Sequence, residues 1–450
     1  MKKISFITLF LLFSFCSSQN SSNIEKSTDT TTTLIETSEQ PIVKDDTNNQ
    51  INTVQDTKIS KTNGINLSFI NKFSLNDNYN SISDIDLIYI NEEAHYVLTF
   101  TYAGVVKLVD KNFNEIGNFL DFSDRVLSTT TGTESGLINL ELIKNVNNIY
   151  TGFISYIDKN MRLNLIQVQF NNKLEIIDEK LLFLGNQNFK PEHFGGSLFL
   201  HNDKYLLLGV GDHARVDQSV ANNFSPESKI LRYEIAIDKN TFHYEASDFG
   251  IDFTPIYTPR ENLEVNSLNS IFLSGFRNPW NFSLYVDSSN NKTYYLIGDV
   301  GQNKYEELNI IEESELEENI YFGWPFFEGP FLSPHFSSIS DEISNIHRSP
   351  DFYYEHKEND SGGYRCAIIL GGVFNSKYDY QNNSFIFTDW CSSELFSLKI
   401  NNGNFEFFVY DNVDLVNFDG KSINPNIIKT IENKTFLFTV NGEVFQLIDK

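Results

Sequence analysis

The chain is short of most things that mark a cross-linked, zinc-clustered or nucleic-acid-binding protein. Of its 450 residues, 3 are Cys, 2 are Met and 3 are Trp. Three cysteines are too few for a disulfide scaffold or a Cys-rich zinc module. Lys and Arg number 34 against 60 Asp and Glu, a formal net charge of −26. That deficit of cations leaves little with which to displace the counterions on phosphates, so no nucleic acid is expected as a partner. General affinity for anionic membrane surfaces is excluded on the same ground. Long apolar runs are also missing: the one spanning residues 4–15 is too short to cross a bilayer as a mature helix, and no later stretch is longer. Amphipathic helical patterns are scarce, and residues 312–318 read as an acidic loop or a single turn.

What is present is core-forming material. Hydrophobic residues make up 40% of the chain and aromatics 14%, with 40 Phe and 21 Tyr. A chain so rich in rings is not disordered as a whole. At the start, Lys2 and Lys3 precede the apolar run, and the small residues Ser17 and Ser18 follow Cys16, as in a bacterial export signal over residues 1–18. Two processing routes fit: a lipid anchor on Cys16 after cleavage just before it, or ordinary cleavage after Ser18. The expected location is the periplasm or the cell surface. Residues 19–65, dominated by Ser, Thr, Asn, Gln and Asp, read as a disordered linker because they bury too little apolar surface to offset chain entropy. Up to Ile65 there are six Lys and seven acids, so the remaining 28 cations and 53 acids put the negative charge on the folded part.

Length alone suggests two or three domains, but propellers exceed that rule as single domains. From residue 66 to 450 short runs of Tyr, Phe, Val, Ile and Leu alternate with Asn, Asp, Gly and Lys punctuation. Segments 95–101, 148–156, 163–170, 204–210, 293–297, 385–388, 394–400 and 435–440 are expected strands. About 385 residues of such strands, without a break, fit a closed radial array. At roughly 60 residues per four-stranded blade, the expected fold is an all-β six-bladed β-propeller.

Four segments carry chemistry. In the first, His193 precedes Gly195 and Gly196, and one strand later Gly211-Asp212-His213 returns a carboxylate at a Gly-flanked turn. A histidine met alone is more often a packed core residue. Paired with a carboxylate on one ring nitrogen, it offers the other nitrogen as a proton acceptor. In the second, Arg277-Asn278-Pro279-Trp280 offers a cation and an amide toward one ligand oxygen, or a structural Arg holding loop carbonyls. The third, Gly298-Asp299-Val300-Gly301-Gln302 followed by Glu306-Glu307, is oxygen-rich and suits calcium, or is a solvated acidic turn. The fourth, Gly323-Trp324-Pro325 with Glu328-Gly329, reads as a rigid structural corner.

In this order the segments resemble the glucose/sorbosone dehydrogenase family, over roughly residues 84–449. The resemblance includes Glu134-Ser135-Gly136-Leu137, Lys229-Ile230-Leu231-Arg232-Tyr233, Asp389-Trp390-Cys391 and the closing Glu443-Val444-Phe445-Gln446-Leu447, and is most specific from residue 297 to 329. It implies an exported six-bladed propeller that uses pyrroloquinoline quinone and Ca2+ to oxidise an aldose sugar or related alcohol and passes electrons to an acceptor. His193 is the implied base, Asp212 its orienting partner, and Arg277 the cation that polarises the quinone with Asn278 assisting. Glu134 falls among the implied cofactor contacts. Calcium would take the carbonyls of Gly301 and Gln302 and act as a Lewis acid. Glu307, with Glu306 beside it, sits where the family offers a ligand to a second, structural calcium.

The chain also departs from the family. Basic residues usual after the Gly371-Gly372-Val373-Phe374 strand and after the Asp389 turn are replaced by Asn375, Ser376, Ser393 and Glu394, and a Glu-Arg pair is missing from Leu98-Thr99-Phe100-Thr101. Arg365, Arg215 and Lys377 are the remaining candidates to face the cofactor's carboxylates, with Arg365 reaching from a different backbone position. The alternative reading is therefore a non-catalytic propeller that binds carbohydrate or protein. A last expectation is a disulfide between Cys366 and Cys391, the pair left once Cys16 is removed or lipidated in an oxidising compartment.

Overall fold

The computed structural model describes residues 59–62, 64–75, 80–128, 134–144, 150–202, 204–221, 225–238, 243–248, 271–316, 320–359, 362–378, 382–410 and 423–450. The expected leader and most of the expected linker lie outside them. Within them the secondary structure is nearly all strand, with one short α-helix at Asp341–Ile346 and two 3-10 turns, at Gln218–Ala221 and, in the acidic stretch, at Glu313–Glu315.

The strands form six blades. Blade I holds Ile82–Ile90, Glu93–Phe100, Val105–Val109 and Glu115–Asp121; blade II holds Leu137–Lys144, Tyr150–Ile157, Leu163–Phe170 and Ile176–Leu184. Blade III is Gly195–His201, Tyr205–Val210, Lys229–Asp238 and His243–Asp248, with Ile271–Ser274 added beside Lys229–Leu231. Blade IV is Pro279–Asp287, Lys292–Asp299, Tyr305–Glu312 and Phe352–Glu355. Blade V is Ile368–Phe374, Ser384–Asp389, Leu395–Asn401 and Asn404–Tyr410. Blade VI joins the two ends of the ring: Pro425–Ile431, Lys434–Thr439 and Glu443–Asp449 are completed by Ile65–Lys72. The cores lie between blades, where apolar side chains of neighbouring sheets interdigitate.

The linker boundary expected at residue 65 is corrected. Ile59–Thr62 already pairs in parallel with Phe407–Tyr410 at the outer edge of blade V, and Ile65 is 1% exposed. The polar average of the segment hid two isoleucines, and an added edge strand needs only its backbone. The expected Cys366–Cys391 disulfide is present.

The first strand of every blade contacts that of the next, closing a ring of six. These strands run in the same sense. Asn281 Oδ1 and Ser283 Oγ of blade IV meet Leu370 N and Gly371 O of blade V, while Asp84 and Asp86 of blade I accept from Leu140 N and Leu142 N of blade II. Loops entering the first strands and leaving the second strands therefore gather at one face.

The ring encloses a channel of about 550 Å3, lined among others by Asp84, Glu141, Trp280, Asn281, Asn426 and Lys429. Lys429 Nζ lies 2.8 Å from Asp84 Oδ1 and 3.9 Å from Glu141 Oε1. Burial pushes the Asp86 carboxyl up to about 6 although Lys429 opposes it, and burial together with Asp84 and Asp86 pushes Glu141 up to about 8. The folded chain thus holds these protons to a higher pH than the unfolded one. Their contribution to stability is complete below the ordinary carboxylate range and is lost as pH rises through the folded values. The melting temperature is expected to fall from about pH 5 to about pH 8, and Glu141→Gln, which cannot ionise, should flatten that fall. An unchanged profile in the variant would contradict this account.

Candidate functional site

His193, Asp212, Arg277, Asn278 and Glu134 meet at the face where the first strands begin, because each sits in a loop that enters a first strand or leaves a second one. Backbone conformation brings them close. His193 adopts φ +53° and is followed by Gly195 and Gly196 at φ +71° and +104°. A Cβ at Gly211 would lie 2.2 Å from the His193 carbonyl oxygen, so the Asp212 turn approaches the histidine only because residue 211 is glycine.

His193 Nδ1 is 2.7 Å from Asp212 Oδ1, and Arg277 Nη2 is 2.9 Å from His193 Nε2. A guanidinium can only donate, so Nε2 is the accepting nitrogen and Nδ1 carries the proton given to Asp212. This is the neutral tautomer with its lone pair on Nε2. Asp212 is fully buried and its Oδ1 also accepts from Ala214 N at 2.7 Å. Arg277 Nη1 donates to Val300 O at 2.8 Å, and the guanidinium lies 5.9 Å from the centre of the Trp324 ring. Glu134 Oε2 accepts from His193 N at 2.7 Å and from Asn278 Nδ2 at 3.0 Å, tying the two loops together. Asp212 Oδ2, Arg277 Nε and Asn278 Oδ1 are buried without a protein partner.

A buried platform lies behind these groups. Asp299 accepts from Arg277 N and Asn278 N at 2.8 and 2.7 Å, and burial pushes its carboxyl up to about 7. Glu307 pairs in register with Asp299, accepts from Gly329 N at 2.6 Å, and is pushed well above the usual carboxylate range by burial and by Asp299. Glu306 is held by a short contact to His356 and by Ile368 N at 2.9 Å. Gly301 and Gln302 lie in the adjoining turn. A Cβ on Gly301 would sit 1.7 Å from Tyr305 O, and Glu328 Oε1 accepts from the backbone N–H groups of Gln302, Asn303 and Lys304 at 2.9, 2.7 and 2.8 Å. Among the described residues, no three His, Cys, Asp or Glu side chains are arranged to hold a metal ion.

The expected cations are distributed differently. Arg365 is on this face, but Glu394 binds its guanidinium through two contacts, at 2.6 and 2.8 Å. Arg215 Nη2 is 3.1 Å from Glu227, which also faces His213 at 3.7 Å. Lys377 follows Phe374 at the opposite end of its strand, with its backbone N on Asp449, so it does not face His193. Lys190, not singled out from the sequence, places Nζ 3.1 Å from Ala214 O beside the Asp212 turn. Sequence reading also missed the platform roles of Asp299 and Glu328. A usable signal existed: Asp299 and Asp389 end the second strands of successive blades, and each accepts backbone N–H groups from the loop entering its own blade.

A comparison with described protein families matches none. The chain is 32% identical over 209 residues to the HIPL2 protein of Arabidopsis thaliana, a match spanning 44% of this chain and 27% of that protein. In structure it is similar to the soluble aldose sugar dehydrogenase of Escherichia coli in its apo form, with a TM-score of 0.58, 13% identity, and coverage of 85% of this chain and 98% of that one. The pyrroloquinoline quinone-bound aldose sugar dehydrogenase of Streptomyces coelicolor gives 0.54 and 14%, covering 86% and 98%. At these identities the likeness shows the fold. The chain is a six-bladed propeller of the kind on which sugar dehydrogenases are built.

Glu328 is 2% exposed, and one of its oxygens closes the turn that follows Asp299. Glu328→Ala would leave those N–H groups without their charged acceptor, at a cost of about 3 kcal/mol. Denaturant unfolding should show that loss, and hydrogen exchange should show the amides of Gln302, Asn303 and Lys304 opening first. Unchanged protection at these amides would contradict the role.

Proposed function

We propose that this propeller is an exported oxidoreductase that oxidises a hydroxyl of an aldose or related alcohol, with His193 as the general base. The observation that carries the reading is the His193 ring held between Asp212 at 2.7 Å and Arg277 at 2.9 Å. A substrate hydroxyl replaces Arg277 Nη2 at Nε2 and gives up its proton there. Asp212, fixed by Ala214 N, stabilises the resulting imidazolium. Arg277 stays anchored through Val300 O, and its released Nη2 faces the charge that develops on the substrate oxygen.

Pyrroloquinoline quinone suits this site in its polar demands. Arg277 Nε and Asn278 Oδ1 are buried and unmatched by protein, and Lys190 adds a cation beside the Asp212 turn, whereas Arg215 is paired with Glu227. When bound, such a quinone supplies the hydride acceptor; Arg277, Asn278 and Lys190 are the residues that would hold its polar edge. Among the described residues the side chains of Glu306 and Glu307 form no group that would cage a metal ion, so the groups that would hold calcium are the carbonyls of Gly301 and Gln302 that the resemblance offers.

One observation favours the alternative, a binding propeller: Arg365 and Arg215, two of the cations expected to face the cofactor's carboxylates, are bound by Glu394 and Glu227. Reconstitution with quinone and Ca2+ separates the two. Sugar-dependent dye reduction is expected, and His193→Asn should lower turnover by roughly 10²–10⁴-fold with an unchanged melting temperature. Asparagine is chosen because it tolerates the left-handed backbone at this position. Turnover within a few-fold of the parent would remove His193 from the mechanism. Absence of both quinone binding by calorimetry and dye reduction would leave the binding propeller standing.

A further inference from the structure

The outer strand of blade II, Ile176–Leu184, is an edge that the rest of the described chain leaves uncovered. The outer strand of blade V is covered by Ile59–Thr62, whereas among the described residues this one pairs on one side only, with Leu163–Phe170. Four of its nine residues are exposed large hydrophobics: Ile176 at 37%, Ile177 at 57%, Leu181 at 54% and Leu184 at 44%. Edge strands are ordinarily blunted by charge, proline or cover. Here the pairing with the neighbouring strand is regular from Asp178 to Leu181, between register shifts on either side, so the straight part of the edge is this short segment.

We propose that this edge joins a second copy of the chain in an antiparallel, two-fold symmetric ladder centred on Glu179. A two-fold axis perpendicular to the sheet keeps every side chain on its own face, so residues that face each other must differ by an even number. Centred on Glu179, that rule sets Asp178 against the second copy's Lys180 within the regular stretch, and brings Ile177, at the register shift, beside its Leu181. The two most exposed apolar residues of the strand cover each other, and the one Lys meets an Asp on each side of the axis. The remaining pair is Glu179 on Glu179. In each copy Arg125 Nη1 already donates to both oxygens of that carboxylate, at 2.8 and 2.7 Å, so the like charges at the axis are neutralised within their own chain. The sequence Ile177-Asp178-Glu179-Lys180-Leu181 is thus complementary to itself when reversed, which a strand suited to an unrelated partner has no need to be. Opposite charges and apolar pairs at facing positions are what stabilises an antiparallel ladder.

Light scattering and sedimentation velocity from about 1 to about 200 μM, in about 0.15 M salt so that the repulsion of two acidic copies is screened beyond ~8 Å, should show a monomer–dimer equilibrium. Asp178→Lys and Lys180→Asp, singly, place like charges opposite each other twice per dimer and should each weaken association by about tenfold. The double exchange Asp178→Lys with Lys180→Asp restores both pairs and should restore association. Leu181→Lys should abolish it. A protein that stays monomeric across this range, or a double exchange no better than the single variants, would overturn the proposal.

Discussion

Among the described residues, the innermost strand of each blade has a hydrogen-bonding strand neighbour on one side only, and the ring exists because the exposed sides of those strands are satisfied across the blade boundaries. Asp84 and Asp86 accept from blade II, Ser155 donates to Gly196 O, Asn281 and Ser283 serve blade V, Thr430 donates to Val373 O, and Asn426 donates to Ile82 O. Side chains here do what a further strand would do in an open sheet. The arrangement explains why a protein with a large apolar core keeps carboxylates and amides in its channel, and why Glu141 there and the neighbouring Asp86 hold protons at pH values where a surface acid would not.

The site inherits its geometry from the same constraint. Because the first strands run in one sense, residues 134, 193, 212, 277 and 299, far apart in sequence, reach one face from three blades. Burial then sets the chemistry. Asp299 and Glu307 form an acidic floor under Arg277, held by backbone N–H donors and pushed toward the neutral form, while Asp212 and Glu134 each hold the histidine loop by direct hydrogen bonds. One guanidinium stands between the imidazole and the carbonyl of Val300, so a single side chain couples two blades at the reacting nitrogen.

Much of this was legible in the sequence. Alternating aromatics and turn residues indicated short strands throughout, and the pairing of His193 with Asp212 was legible, although the two are separated by a two-strand hairpin, Gly195–His201 and Tyr205–Val210, rather than by one strand. Arg277 and Asn278 were recognisable as a loop pair, though nothing local showed that Arg277 would reach His193 Nε2. The cations were least legible. Whether Arg365 or Arg215 presents charge depends on Glu394 and Glu227, partners 29 and 12 residues away that only the fold brings into range. The strand at Ile59–Thr62 was hidden for a related reason: an edge strand is held by its backbone, and composition carries no record of that.

His193 is held with its proton on Nδ1 and its lone pair on Nε2. Nitrogen-15 NMR of the protein labelled at histidine reads this directly, with His193→Asn identifying the resonance among the 8 histidines. The expected result is a protonated Nδ1, coupled to its own ring protons and lost on Asp212→Ala, and an unprotonated Nε2 near neutral pH. A His193 ring protonated on Nε2 alone would contradict the account, because Arg277 could not then donate to it and no lone pair would face a substrate.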